Sequence, residues 1–244
     1  MSEVAAHYET LLARHYTWMF GMSFADKVAE QRNLLEGFGV APRARSVAVD
    51  LGCGSGFQAV ALADMGFSRV LAVDSSAALL GELNVRREGR PVETVEADLR
   101  ALPSLVAAGG ADAVVCMGDT LTHLERRDDV SHLFRDIATA LAPGGACVLT
   151  WRDLSIELTG TDRFIPVAAD VDRVMTCFLE YEPGTVVVHD LVHVRDGAAW
   201  TLHKSSYRKL RLAVSWVVQE LAGAGLRVAH NGPAGRLFAV VAVK

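Results

Sequence analysis

Residues 47–56 read Val-Ala-Val-Asp-Leu-Gly-Cys-Gly-Ser-Gly, and the organisation of the chain can be worked out from this stretch. The first three residues, all apolar, predict a buried strand that ends at Asp50, and every second residue after Leu51 is glycine. The spacing over 58–65 indicates a helix that Gly66 ends. Glycines let the backbone approach a ligand closely, and a helix N-terminus offers unpaired N–H donors. A ligand-binding turn is therefore predicted, with a purely structural turn as the alternative.

The alternation of strand and helix continues to residue 151. Further strands are predicted at 70–73, 92–95, 113–117 and 146–151. Strands this apolar need cover on both faces, which is typical of a doubly wound parallel sheet. In such sheets ligands bind beyond the carboxyl ends of the strands. Polar residues follow the predicted strands at that edge: Asp50, Asp74, Asp98, Asp119 and the pair Arg152 and Asp153.

Segments of different character flank this core. Residues 1–40 predict two helices, the second capped by Ser23. Antiparallel strands are predicted at 175–182, 186–195 and 200–209, because apolar residues alternate between turn signals. A helix and strands at 226–230 and 237–243, joined by a turn at 232–235, close the chain. We expect one α/β domain with a mostly parallel seven-stranded sheet, divided into an N-terminal helical segment (1–40), a ligand-binding core (41–153), a β-rich cap inserted after the fifth strand (154–211) and closing elements (212–244).

Four motifs together resemble the class I S-adenosylmethionine-dependent methyltransferases. They are Val-Asp-Leu-Gly-Cys-Gly-Ser-Gly (49–56), Ala-Val-Asp (72–74), Glu-Ala-Asp-Leu (96–99) and Leu-Ala-Pro-Gly-Gly (141–145). The glycine turn alone is moderately specific, but the four in this order and spacing are strongly so. The resemblance covers about 45–153 well and the closing strands loosely. It implies the Rossmann-like fold of that family and S-adenosyl-L-methionine as the cofactor.

The resemblance also implies roles for individual residues. The glycine turn would lie against the methionine part of the cofactor, Asp74 would bind the ribose hydroxyls, and Asp98 would lie near the adenine. A carboxylate can accept two charge-assisted hydrogen bonds from a ribose diol, although either acid could simply cap the next helix. Asp50 would fix the turn or reach the cofactor ammonium through water. The predicted cofactor-binding residues are Asp50, Gly52, Cys53, Gly54, Gly56, Asp74, Ser75, Asp98, Leu99, Met117, Gly118, Tyr16 and Trp18.

No obligatory catalytic residue is evident for the acceptor side. Methyl transfer is an in-line displacement, so alignment and exclusion of water matter most; a hydroxyl acceptor benefits from a general base, whereas an amine need only be neutral. The candidates are Asp119, His123 and Tyr207, the first two sharing a face if their segment is helical. His123 would serve as a base or line the adenine side of the pocket. Two metal-type ligands without a third are weak evidence, so no metal is predicted. Arg152 would bind an acidic substrate or pair with a neighbouring acid.

Composition narrows the possible partners. The net charge of -5 gives no general attraction to nucleic acid or anionic membrane, and the basic residues at 204–211 are interpreted as a solvated face. Four widely separated cysteines suit a reducing compartment. We find no secretory signal pattern and no apolar run near the roughly 20 residues of a membrane span. A cytoplasmic monomer or homodimer is expected.

The sequence therefore predicts a methyltransferase acting on nitrogen or oxygen of a small-molecule acceptor. Nucleic-acid amino-methyltransferases resemble one another in an Asn/Asp-Pro-Pro-aromatic motif, which residues 117–120 lack. The helical N-terminus and β cap look similar to small-molecule methyltransferases, including relatives of glycine N-methyltransferase and sugar-amine enzymes. One alternative is an NAD-dependent oxidoreductase, although Phe57 occupies the last position of its Gly-x-Gly-x-x-Gly fingerprint. The other is a non-catalytic module that binds S-adenosylmethionine.

Overall fold

The structure is a computed structural model that describes residues 3–244. Within these residues the strands are β1 (Val47–Leu51), β2 (Arg69–Asp74), β3 (Val92–Glu96), β4 (Ala111–Cys116), β5 (Leu141–Trp151), β6 (Phe164–Ala169), β7 (Arg173–Glu182), β8 (Thr185–Asp196), β9 (Ala199–Leu210), β10 (Arg227–Ala234) and β11 (Leu237–Val243). The α-helices are α1 (Glu3–His7), α2 (Phe24–Gly37), α3 (Phe57–Met65), α4 (Ala77–Arg86), α5 (Leu102–Leu105), α6 (Arg127–Ala140) and α7 (Val214–Gly223).

Seven of the strands form the predicted sheet, in the order β10-β11-β5-β4-β1-β2-β3. β1 to β5 pair in parallel, while β11 runs antiparallel to both β5 and β10. The doubly wound fold class is thus confirmed. The predicted closing turn at 232–235 was wrong in detail, because the ladder continues to Ala234 paired with Leu237 and leaves only Gly235 and Arg236 to turn the chain.

Helices cover both faces of this sheet because neighbouring residues of each strand point to opposite sides. Val49 and Leu51 pack with α5, α6 and α7 in one apolar core. Ala48 faces the other core, which contains residues of α2, α3 and α4. The carboxyl ends of the parallel strands remain free of these helices and hold the candidate site.

The remaining four strands form the cap, a separate antiparallel sheet in the order β6-β7-β8-β9. Three of them start and end within two residues of their predicted positions. The sequence analysis missed β6, which contains Pro166. A proline cannot donate to a ladder and is tolerated at a sheet edge, and β6 is one of the two edge strands of the cap.

The N-terminal segment packs between the cap and the main sheet. The helix predicted over its first part is present, but it changes from α1 to a π-turn at Tyr8–Leu12 and a 3-10 turn at Ala13–His15. Leu11 and Leu12 are buried against Met175 and Val192 of the cap. This packing closes a cavity between segments that are far apart in the sequence. No helix in the described part of the chain has the length and apolarity needed to span a bilayer.

Candidate active site

The glycine turn between β1 and α3 leaves no room for side chains. Gly52 and Gly54 have φ values of 72° and 53°, in the left-handed region that other residues rarely adopt. A Cβ atom at Gly52 would overlap the side chain of Thr120, and one at Gly54 would lie 3.0 Å from the ring of Tyr16. Gly56 is restricted in the same way by Leu83. The turn is therefore built for close approach by neighbouring groups.

Asp74 at the end of β2 holds this turn in place. Its Oδ2 accepts a hydrogen bond from the Gly54 N–H at 2.8 Å, and its Oδ1 accepts from the Ser76 N–H at 2.8 Å. Burial raises the pKa of Asp74, although N–H donors from Ser76, Gly54 and Ser75 oppose the shift. The N-cap of α4 is Ser76 rather than Asp74. Asp74 thus lies on the turn, as its predicted role requires, and its contact with a ribose stays a prediction.

Asp50 lies buried beneath the turn with an unsatisfied oxygen. Its Oδ2 has no hydrogen-bond partner among residues 3–244. Burial, followed by the nearby charge of Asp74, raises the pKa of Asp50 to about 8. A buried polar atom without a partner is costly, so this oxygen favours a ligand that brings a donor to the turn.

Asp98 and its neighbour Leu99 have a local structural role. Asp98 caps the 3-10 turn Leu99–Ala101 by accepting from the Arg100 N–H at 2.9 Å. Its carboxylate is about half exposed and pairs with the Arg100 guanidinium at 2.8 Å. The capping alternative is therefore realised, and adenine contact stays a prediction.

Hydrogen bonds connect three other predicted cofactor residues, Cys53, Met117 and Gly118, to the strands and the loop around the turn. The N–H of Cys53 donates to Val73, which fixes the start of the turn. Gly118 donates to the Thr150 hydroxyl, and Met117 accepts from the Thr120 hydroxyl that abuts Gly52. These contacts bring the loop after β4 against the glycine turn.

Tyr16 and Trp18, the two predicted aromatic contacts of the N-terminal segment, lie in different places. Tyr16 lies on the glycine turn at Gly54. Trp18 instead contacts the cap: its Nε1 donates to Asp170 at 2.5 Å, and the Arg173 guanidinium lies 4.4 Å from its ring centroid. The structure therefore brings Tyr16, and not Trp18, to the predicted cofactor turn.

A cavity of about 530 Å³ lies where the sheet edge, the N-terminal segment and the cap meet. All three predicted catalytic residues line it. So do Tyr8, Tyr16, Met117, Gly118, Arg152, Asp190 and Lys209. The sequence analysis missed Asp190 and wrongly placed Lys209 on a solvated face, since only 9% of Lys209 is exposed.

Asp119 connects the cap to the sheet edge. Asp119 has a left-handed φ of 82° and precedes a 3-10 turn at Thr120–His123. The α-helix considered above is therefore not formed, because Asp119 lies outside any helical turn. Its Oδ2 accepts from Lys209 Nζ at 2.9 Å and its Oδ1 from the Arg152 N–H at 2.7 Å. Burial acts to raise the pKa of Asp119, but Lys209 and Arg152 outweigh it and lower the pKa. Asp119 is thus ionised and already engaged, which does not favour its predicted role as a base.

His123 and Tyr207 form neutral walls of the cavity. Burial, reinforced by the Lys209 ammonium, lowers the pKa of His123 to about 3. Its Nε2 has no hydrogen-bond partner within the described residues. Burial raises the pKa of Tyr207 well above its usual value, so the phenol keeps its proton. The geometry favours lining over proton abstraction at neutral pH, and the catalytic roles stay predictions.

Comparisons with known proteins agree with this fold and motif pattern. Residues 48–145 match a family model described as a methyltransferase domain. The cypemycin N-terminal methyltransferase of Streptomyces sp is 36% identical over 130 residues, which are 52% of this chain and 51% of that protein. The glycine/sarcosine N-methyltransferase of Halorhodospira halochloris is 34% identical over 107 residues, 43% and 39% of the two chains. The chain spans about half the length, or less, of the curated relatives it matches.

Solved structures show the same architecture over nearly the whole chain. The CcbJ methyltransferase from Streptomyces caelestis has a TM-score of 0.74 at 20% identity, covering 99% of this chain and 96% of that one. CalS10, an amino pentose methyltransferase from Micromonospora echinaspora, has a TM-score of 0.72 at 19% identity, covering 94% and 95%. The protein therefore has the fold of these methyltransferases, and its segment 48–145 matches the methyltransferase domain model.

Proposed function

We propose that this chain is an S-adenosylmethionine-dependent methyltransferase that acts on nitrogen or oxygen of a small-molecule acceptor. The observation that carries the proposal is the position of the cavity, which adjoins the glycine turn and reaches the cap. Tyr16, which contacts Gly54 of the turn, and Phe57, which follows the turn, line it together with Tyr207 and Lys209 of the cap. Of the curated relatives described above, one is named as a glycine/sarcosine N-methyltransferase and the other as an N-terminal methyltransferase, which favours nitrogen as the attacked atom.

The residues at the turn fit S-adenosyl-L-methionine. The unsatisfied Asp50 oxygen suits a donor, such as the ammonium of the cofactor or a water bound to it, since it is buried without a partner. The glycines allow the backbone to lie against the methionine part, and Asp74 is at the right strand end for the ribose hydroxyls. When bound, the cofactor supplies an electrophilic methyl group on a cationic sulfonium.

The chain itself would hold the acceptor and keep water out. Tyr8 and Tyr16 from the N-terminal segment, both partly buried, and the buried Tyr207 from the cap are aromatic walls of the cavity. His123 is neutral at physiological pH and is a poor proton acceptor there, because its pKa is far below 7. An amine acceptor needs no strong base once it is neutral, which agrees with a cavity of this kind.

Isothermal titration of the purified chain with S-adenosylmethionine, S-adenosylhomocysteine and NAD tests the proposal. We expect binding of the first two and none of NAD. Tritium transfer from labelled S-adenosylmethionine to amine and alcohol panels, with products identified by mass spectrometry, then tests activity. Preferred binding of NAD would refute the proposal, and cofactor binding without any transfer would instead favour the non-catalytic module.

A further inference from the structure

One acid lies among the valines on the inner face of the cap. Alternate residues of a strand share a face, and on β8 the inward positions are Val186, Val188, Asp190 and Val192, all buried. Asp190 is 3% exposed and lines the candidate active-site cavity. A carboxylate is costly to bury without compensation, so its place in this apolar stripe needs an explanation.

The partner of Asp190 comes from the other end of the chain. His7 Nε2 lies 3.0 Å from Asp190 Oδ2, and both side chains are buried. His7 is the only basic residue within ion-pair distance of Asp190 among residues 3–244. The His7 ring stacks on Tyr207 at a centroid distance of 4.2 Å, and neither of its ring nitrogens makes a hydrogen bond within that same range. The carboxylate thus lies at the cavity wall in contact with His7 but without a hydrogen bond from it.

Aromatic rings surround the same part of the cavity. The His123 ring lies 5.8 Å from that of Tyr8 and 5.6 Å from that of Tyr207. Lys209 Nζ lies 5.6 Å from the Tyr207 ring centroid, and the Asp119 carboxylate balances its charge there. Aromatic faces beside a carboxylate attract alkylammonium groups through cation–π and charge interactions, more strongly where water is excluded.

We infer that Asp190, in contact with His7 and flanked by Tyr8 and Tyr207, is the binding site for a protonated amine of the methyl acceptor. The inference rests on the proposed function and narrows its acceptor to compounds that carry an aliphatic amine. The nearby Asp119 carboxylate already accepts a hydrogen bond from Lys209, whereas the His7 ring donates none to Asp190, which leaves Asp190 as the anion for the ligand. The inference concerns binding. Before its nitrogen can attack, the ammonium must release one proton to water, because His123 is a poor proton acceptor at neutral pH.

Three ring compounds of similar size and different charge test this inference. Cyclohexylammonium, cyclohexanol and cyclohexanecarboxylate are titrated at pH 7 and followed by NMR, with and without saturating S-adenosylhomocysteine. We expect the ammonium to bind about tenfold or more tightly than the alcohol, since hydrogen bonds to charged groups exceed neutral ones. Asp190→Asn should remove that preference. An equal affinity for ammonium and alcohol, or a preference for the carboxylate, would overturn the inference.

A matched control uses the outer face of the same sheet. His189 Nε2 and Glu180 Oε2 are also 3.0 Å apart, but this pair is solvent-exposed. Glu180→Gln should leave the ammonium preference unchanged, and its loss there would contradict a specific role for Asp190.

A second pair of variants covers the case in which Asp190→Asn fails to fold. Tyr8→Phe retains an aromatic face and should keep the preference, whereas Tyr8→Leu should reduce it. Equal preference in these two variants would overturn the aromatic part of the site. Binding of S-adenosylhomocysteine is measured separately by calorimetry, so failure of the proposed function and failure of this inference give different results.

Discussion

Replacing Lys209 with Met should destabilise the fold more than any surface substitution in the cap. Lys209 and Asp119 are 9% and 8% exposed, and their charged atoms are 2.9 Å apart. Removing one partner of a buried pair leaves the other charge uncompensated, which costs about 3–5 kcal/mol. Asp119 retains the Arg152 N–H, so we expect the lower half of that range.

Urea denaturation followed by far-ultraviolet circular dichroism measures this loss. The double variant Lys209→Met/Asp119→Asn should lose less than the sum of the single variants, because both charges leave together. Lys204→Met is the matched control, since Lys204 is exposed on the same strand and its loss should stay within about 0.5 kcal/mol.

The pH dependence of the Lys209→Met effect follows from the lowered pKa of Asp119. A carboxyl whose folded pKa lies below its unfolded value, about 3.9, contributes stability above that pH. This contribution is lost as pH falls through the folded pKa. The unfolded state titrates alike in both proteins, so the difference between wild type and Lys209→Met should be greatest at high pH. It should narrow as pH falls through the folded pKa of Asp119 in the variant, which burial raises, and then through the lowered folded pKa in the wild type. A difference under 1 kcal/mol at pH 7, or one that widens in acid, would refute the reasoning.

Three further predictions concern the glycine turn and the cavity wall. Asp74→Ala should weaken S-adenosylhomocysteine binding by about 1.5–3 kcal/mol; unchanged affinity by calorimetry would remove Asp74 from the site. Gly52→Ala should lower both the melting temperature and the cofactor affinity, because the new methyl overlaps the Thr120 side chain and the left-handed φ is strained. Adding Thr120→Ser to Gly52→Ala should partly restore both quantities, and full activity of Gly52→Ala alone would contradict the geometry. The His123 ring should titrate near pH 3 by NMR in the wild type and at a higher pH in Lys209→Met. The His123→Ala variant should retain methyl transfer, and a complete loss of turnover in that variant would identify His123 as an essential base.

Much of the sheet was predictable from local pattern. The stretch 47–56 contains the first strand and the turn that leads into the helix after it. The acids that follow the later strands lie at the same edge of the main sheet, because the strands are parallel. The cap was harder, because alternation divides β8 into two faces without indicating which one turns inward. Asp190 therefore passed unnoticed, although its place among valines was a usable signal.

Long-range pairing explains the remaining differences. Lys209 meets Asp119 across 90 residues of sequence, and nothing near Lys209 distinguishes it from exposed basic neighbours. The residues around Asp119 do not predict its left-handed φ. The α-helix considered over Asp119 and His123 was therefore wrong. The π-turn at Tyr8–Leu12 was likewise hidden behind an ordinary helical spacing of apolar residues.

The π-turn and the 3-10 turn after it place Tyr8 and Tyr16 on the cavity, although neither residue belongs to either sheet. Tyr16 also contacts the glycine turn, so under the proposed function the N-terminal segment would reach both the methyl donor and the acceptor. Exchanging the cap alone (154–211) between homologues should therefore change acceptor preference while the glycine turn and its contact with Tyr16 stay as they are. Engineers seeking new methylated products would have the cap as an exchangeable module.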